Sequence, residues 1–322
     1  MVLKTCLVTG AGGFVGNHLC RVLSQEGYLV KACIRNRKGI SETGSAVRYI
    51  PVGDIDGSTN WSGVLDGVDF IVHLAARVHV MEETSRDPLT AFRKTNVDGT
   101  SRLAEQAADA GTRRFIFVSS IKVNGEDTSD MPFRAKDVPD PQDPYAVSKL
   151  EAEQALSGIS AETGMETVVI RPPLVFGPGV GGNFLRLMKL VEKGMPLPLG
   201  SVKNRRSVLG VYNLCDLLRC CLEHPDASGQ VFLAGDPCAF STPELIRLLC
   251  RAMGRPCRLF RVPLPLLRAA AEIAGRGRDF RRLCTSLVVD TEKVGNLLGW
   301  TPPRKTVDEI NMTVSWYINR HT

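Results

Sequence analysis

The stretch "VTGAGGFVG", Val8 to Gly16, limits what this chain can fold into more than any other feature. Gly10, Gly13 and Gly16 follow the apolar run "TCLVTG" and lead, through Phe14 and Val15, into a segment from Asn17 to Glu26 patterned as a helix and closed by Gly27. A strand that turns into a helix through glycines aims backbone N–H groups and the positive end of the helix dipole at one point. The bare Cα positions let an anion such as a pyrophosphate come close. A tight turn that binds nothing is the rival reading, because the glycine spacing alone is common.

The pattern continues beyond the loop. "YLVKACIR", "VRYIPVGD", "VDFIVHLAA", "RRFIFVSS" and "METVVIRPP" are short apolar runs, with long helical patterns at Pro88–Ala110 and ahead of "METVV". Strands alternating with helices predict β-α-β units in a doubly wound parallel sheet. Nearly continuous apolar runs predict strands covered on both faces. After Pro172 the pattern loosens into "FGPGVGG", "KGMPLPLG" and short helices. We therefore expect an α/β protein with a Rossmann-type dinucleotide-binding part at 1–172 and a smaller C-terminal α/β substrate lobe at 173–322, without a clean linker.

Composition excludes several classes. A net charge of +6 falls well short of a nucleic-acid footprint. No run reaches the roughly 18 apolar residues of a membrane span. Only seven residues precede Val8, which leaves no room for a signal peptide before the first strand. The ten cysteines include no C-x-x-C pair, and Cys220 and Cys221 sit in an apolar helical pattern. These features predict a cytoplasmic protein with reduced thiols. His18, His79, His224 and His321 lack ligand-like spacing, so no metal site is expected.

The strand ends narrow the ligand. Asp54 and Ile55 follow the third strand, where a carboxylate and an apolar side chain suit an adenine. Leu74, Ala75 and Ala76 end the fourth, small enough for a cofactor to lie on the backbone. An acid about 20 residues past the glycine loop would bind a ribose 2′-OH, whereas an arginine suits a 2′-phosphate. The second strand ends "CIRNR", with Arg35 and Arg37 and no acid. The choice between NADP and NAD therefore tilts toward NADP.

"YAVSK" places Tyr145 and Lys149 four residues apart on one helix face, and Ser120 ends the fifth strand 25 residues earlier. A phenol ionises near pH 10 in water, about three units too high for a base at neutral pH. A neighbouring ammonium and a cationic nicotinamide are expected to favour phenolate. Ser120 is placed to hydrogen-bond the oxygen that Tyr145 protonates or deprotonates, and Lys149 to bond the nicotinamide ribose.

Together "TGAGGFVG", "HLAA", "NVDGT", "FVSS", "YAVSK", "RPPLVFGPG", "RRSVLGV" and "LGWTPP" make the chain resemble an extended short-chain dehydrogenase/reductase, over nearly its whole length. That branch holds nucleotide-sugar epimerases, dehydratases and ketoreductases. The resemblance implies Ser120, Tyr145 and Lys149 as the catalytic set, Asn96 as a structural or proton-relay residue, and Pro172 beside the nicotinamide. It implies a UDP-linked hexose or N-acetylhexosamine as substrate, met by Lys122, Asn183 and Arg206, and by Arg282 or Arg281. It also implies a homodimer paired through the helices at 88–110 and 145–163.

The chain departs from the family where Lys122 and Asn124 replace a small or hydroxyl residue and a tyrosine, and where "RRSVLGVYNL" lacks the usual acid after the arginine. Ile121 and Lys122 after Ser120, in place of an Asp-Glu pair, argue against a dehydratase. Two reactions at C4 of the sugar remain: reduction of a UDP-4-keto-6-deoxy-N-acetylhexosamine, which Arg35 favours, and 4-epimerisation with tightly held NAD. A dinucleotide sensor without catalysis is a remote third. Finally, "PLPLLRAAAEIAG" with Arg276, Arg278, Arg281 and Arg282 reads as a lobe helix with a basic edge near a diphosphate, a membrane-surface helix being the alternative.

Overall fold

The computed structural model describes residues 3–36, 46–78, 87–128 and 131–321, so Arg37 and His79 lie outside the described residues. The glycine loop joins β1 (Thr5–Thr9) to α1 (Phe14–Gln25). The helix starts three residues before the expected Asn17, because Gly13 has extended backbone and serves as its N-cap. There follow β2 (Leu29–Ile34), β3 (Val47–Pro51), α2 (Ser62–Leu65) and β4 (Phe70–His73). The expected helix over 88–110 is built as α3 (Pro88–Arg93) and α4 (Gly99–Asp109), joined by a single π turn over Lys94–Asp98. Next come β5 (Arg114–Val118), α5 (Pro144–Thr163) and β6 (Glu166–Arg171).

The second half contains β7 (Leu174–Phe176), α6 (Gly182–Glu192), β8 (Val208–Gly210), α7 (Val211–Glu223) and β9 (Gln230–Leu233). It ends with α8 (Thr242–Ala252), α9 (Leu264–Ile273), α10 (Gly277–Cys284), α11 (Glu292–Leu298) and α12 (Thr306–His321).

Seven strands form one sheet in the order β3-β2-β1-β4-β5-β6-β9, and every neighbouring pair is parallel. Alternate residues of each strand feed opposite faces. Val8, Val30, Val72, Ile116 and Ile170 pack with Leu19 and Leu23 of α1 and Leu214 and Leu218 of α7. Leu7, Ile71, Phe115 and Phe117 pack with Leu103 of α4 and Leu156 of α5 on the other side. Both faces are covered, which explains why the strands read as unbroken apolar runs. β9, a four-residue run with no strand signature beyond "QVFL", was not expected from the sequence.

The lobe has its own core, where Phe176, Phe184, Leu249, Ile310 and Tyr317 bring together β7, α6, α8 and α12 around the parallel pair β7–β8. The chain runs outward from β1 to β3 and then returns to β4 on β1's other side. This strand order leaves a crevice at the carboxyl ends of β1 and β4, where open α/β sheets bind ligands.

Candidate active site

The glycine loop occupies that crevice. Gly10 has φ +65°, and a Cβ there would lie 2.9 Å from the Ala75 nitrogen. A Cβ on Gly16 would lie 2.3 Å from the Gly10 carbonyl oxygen. Both glycines are therefore demanded by the close approach of the protein's own backbone. Gly12 and Gly13 differ. Both are exposed, and their nearest neighbours at the Cβ position are Ile34 Cγ2 at 3.6 Å and the Gly10 oxygen at 3.1 Å. α1 has no side-chain cap and no acid in its first turn, so no side chain of its own takes up its leading N–H groups beside these two residues. That cradle fits a pyrophosphate.

Behind the loop, Thr9 Oγ1 accepts from the N–H groups of Leu74 and Ala75, both at 3.1 Å, and joins His73 Nδ1 at 2.7 Å. His73 Nε2 meets Thr100 Oγ1 at 3.0 Å. Burial and the Lys149 charge push His73 down to about 3, so it is neutral and acts as a strut. This Thr9–His73–Thr100 chain fixes the strand-end segment of Leu74, Ala75 and Ala76 against the loop. The sequence had drawn attention only to its small residues.

At the end of β2, Arg35 Nε lies 2.9 Å from Asp54 Oδ1, and both side chains are largely exposed. Two residues expected to face the adenosine end thus stand together as a surface ion pair, weakly held and open to exchange for a ligand. Ile55 turns inward: it is buried in the core beside α4, where a Cβ on Gly99 would meet its Cγ2 at 2.8 Å.

The reactive group is built on β5, β6 and α5. Ser120 follows β5 with extended backbone, and the next N–H, from Ile121, donates to the Pro172 carbonyl at 3.0 Å. Pro172, expected near a nicotinamide, is therefore the clamp that fixes the Ser120 turn. Asp143 caps α5, its Oδ1 accepting from the Ala146 N–H at 2.7 Å, and Pro144 occupies the first turn. This start sets Tyr145 on the first turn, hydrogen-bonded to Ser120 and edge-on to Phe92 at 6.0 Å.

One turn later Lys149 is buried, its Nζ 4.1 Å from the centre of the Phe117 ring. Asn96, on the π turn, donates from Nδ2 to the Arg77 carbonyl at 3.0 Å and to Ser148 Oγ at 2.9 Å. Its Oδ1 accepts from the Arg77 N–H at 2.8 Å. It ties the segment after β4 to the helix that carries Tyr145. The Ser119 hydroxyl, buried beside Ser120, has no partner among the described residues. An orphaned donor at this place fits a ligand arriving from the crevice.

Electrostatics correct one expectation. Lys149 was expected to lower the Tyr145 phenol. Instead burial, with Asp143 adding, pushes Tyr145 up to about 12, and the Ser120 hydrogen bond opposes this only in part. Lys149 is itself pushed down to about 7 by burial, partly offset by the Glu153 carboxylate. Both groups have left water, and the neutral form of each is favoured.

Sequence reasoning missed the layer beneath. Glu153, one turn beyond Lys149, pairs with Arg171, Nη2 to Oε2 at 2.5 Å and Nε to Oε1 at 3.0 Å. Arg171 also donates to Asn124 Oδ1 at 2.9 Å. The i, i+4 spacing of Lys149 and Glu153 and the place of Arg171 directly before Pro172 were the available signals.

The substrate residues divide. Arg206 is largely buried and donates from Nη1 to the Thr285 carbonyl at 3.0 Å. Burial holds its guanidinium below the usual range, and the nearby Arg282 charge acts the same way against Glu126 and Asp127. The Arg282 charge is thus felt at Arg206. Lys122 is taken up by Asp143 and, at 3.1 Å, by Glu126. Asn183 is exposed on the first turn of α6. All ten cysteines are free, and no helix among the described residues is long and apolar enough to cross a membrane.

The sequence profile of the NAD dependent epimerase/dehydratase family matches residues 6–235. The chain is 40% identical over 318 residues to a UDP-glucose 4-epimerase of Vibrio cholerae, covering 98% of this chain and 96% of the relative. It superposes on MoeE5 bound to UDP-glucuronic acid and NAD with a TM-score of 0.78 and 26% identity, covering 98% of this chain and 100% of that one. On the Thermotoga maritima UDP-glucose 4-epimerase, solved with UDP-glucose, the TM-score is 0.79 at 21% identity, over 99% and 100% of the two chains, a likeness of fold. A Rossmann-type sheet with a glycine-lined crevice, a Ser-Tyr-Lys group at its lip and a profile match over most of its length make this chain a member of the NAD-dependent epimerase/dehydratase family of short-chain dehydrogenase/reductase enzymes.

Proposed function

We propose that the chain reduces a UDP-4-keto-6-deoxy-N-acetylhexosamine at C4, with NADPH as the preferred cofactor. The observation that carries this reading is the Tyr145 phenol, hydrogen-bonded to Ser120 and kept protonated well above neutral pH, the form that gives a proton to a carbonyl oxygen. When bound, the nicotinamide supplies the hydride. Ser120 orients the C4 oxygen, Tyr145 gives it a proton, and the Lys149 ammonium, buried beneath and easily deprotonated, restores that proton.

The N–H groups about Gly12, Gly13, Phe14 and Val15 hold the pyrophosphate, and Arg35 exchanges Asp54 for a 2′-phosphate. Arg206 and Arg282 take the diphosphate of the sugar nucleotide. In this reading residues 1–172 hold the cofactor and the catalytic group, 173–322 supply the diphosphate contacts while returning α7 and β9 to the sheet, and two chains pair through the helices over 88–110 and 145–163.

A second reading, 4-epimerisation of a UDP-hexose with retained NAD, is favoured by the Vibrio cholerae relative. Mass spectrometry of cofactor released on denaturation, followed by NADPH oxidation with the 4-keto sugar, separates the two. An empty site with rapid NADPH oxidation supports the reductase. Stoichiometric NAD with no NADPH consumption overturns it in favour of the epimerase.

A further inference from the structure

The helix α9 does not follow the ordinary pattern of a surface helix, which turns an apolar stripe inward and polar residues outward. None of its ten residues, Leu264–Ile273, is buried. Its inner face is Leu267, which packs on the lobe core, and the half-buried Ala271. Its outer face repeats apolar residues at i, i+3, i+4 and i+7: Leu266, Ala269, Ala270 and Ile273, all exposed, with Leu266 at 64% and Ile273 at 89% of full accessibility. The only charged residues on the helix, Arg268 and Glu272, are paired with each other at 2.9 Å on its flank. Phe260, just before the helix, is 47% exposed.

The charge around this face is one-sided. Residues 251–282 hold nine arginines, no lysine and two acids, a net +7, whereas the whole chain carries +6. The rest of the molecule is therefore close to neutral, and its basicity is concentrated on the segment that carries α9. Arg255, Arg258 and Arg261 before the helix and Arg276 after it are exposed.

We infer that the outer face of α9, with these flanking arginines, docks on an anionic membrane surface. Apolar side chains on one face, with exposed guanidinium groups on the chain segments that flank the helix, match a lipid boundary of acyl chain below and phosphate above. A second copy of the chain fits poorly. Two such faces would bring +7 against +7. Two helical turns of small and medium side chains also fall well short of the roughly 800 Å² per partner that stable interfaces bury.

The test is co-sedimentation of the full chain with phosphatidylglycerol-rich vesicles and with phosphatidylcholine vesicles, at low and at physiological salt. The chain should pellet with the anionic vesicles, less so as salt rises. The double variant Leu266→Glu/Ile273→Glu, with an unchanged melting temperature, should lose about tenfold in partitioning. The triple variant Arg255→Glu/Arg258→Glu/Arg261→Glu should lose at least as much, and it decides the matter if the first variant fails to fold. No pelleting with anionic vesicles, equal pelleting with phosphatidylcholine, or pelleting that both folded variants retain would each overturn the inference. A self-assembly dissolved by Leu266→Glu/Ile273→Glu would overturn it in favour of a second copy.

Discussion

Tyr145 and Lys149 owe their character to the same event, removal from water, which favours the neutral form of each. Tyr145→Phe deletes only the hydroxyl bonded to Ser120. It is expected to lower turnover about 10²–10⁴-fold while cofactor still binds, as measured by steady-state rates and a direct titration. Unchanged turnover would remove the phenol from the chemistry. Lys149 adds a dependence on pH. Its ammonium is held near 7 in the fold, against 10.5 for an ordinary lysine. Below about pH 7 folded and unfolded chains both carry the proton, and the fold bears the whole burial penalty. Between there and about 10.5 only the unfolded chain keeps it, so stability rises with pH through that window. Lys149→Met should flatten this rise, read from urea midpoints of cofactor-free protein at neutral pH and at about pH 9. An equal rise in the variant would show that the lysine is not the group responsible. The reactive pair was legible from "YAVSK", but its electrostatics were not. Spacing gives the distance between two charges and says nothing of the solvent they have lost.

Among the elements, α5 was the most legible, because the four-residue spacing of Tyr145 and Lys149 marks one helix face, whereas the Asp143 cap and Glu153, one turn on, went unread. The π turn carrying Asn96 was not legible, since an extra residue in a helix leaves the local pattern almost unchanged. The start of α7 offers a test of packing. Gly210 has an ordinary backbone, φ −64° and ψ 141°, so its requirement is one of space. A Cβ there would lie 2.2 Å from Glu309 Cδ, whose carboxylate accepts from the Tyr212 and Asn213 N–H groups at 3.2 and 3.1 Å. Burial pushes that carboxyl up to about 7. Gly210→Ala is expected to destabilise the protein by about 1–3 kcal/mol through overpacking. Combined with Glu309→Ala its cost should shrink, because the colliding group is gone. Chemical denaturation of the four proteins of this cycle measures the coupling, and strict additivity would contradict the contact.

For the molecule as a whole, the strands over 5–171 were readable because strands covered on both faces are apolar along most of their length. β9 was hidden for the opposite reason. Its four residues gain their identity from pairing with β6, more than fifty positions earlier in the chain, and no local pattern carries that information. The same limit applies to the Arg35–Asp54 ion pair and to the Arg282 charge felt at Arg206, each the work of elements that only the fold brings near one another. Under the proposed function, the crevice between β1 and β4, the hydroxyls of Ser120 and Tyr145 and the arginines of the lobe serve one reaction, hydride transfer to C4 of a sugar nucleotide. The most direct test is to supply NADPH deuterated at nicotinamide C4 on the transferred side, together with the UDP-4-keto-6-deoxy-N-acetylhexosamine, and to locate the label in the product by NMR. Deuterium on C4 of the sugar, lost in Tyr145→Phe, is the predicted result. A product without label at C4, or no product from a correctly folded enzyme, would contradict the account.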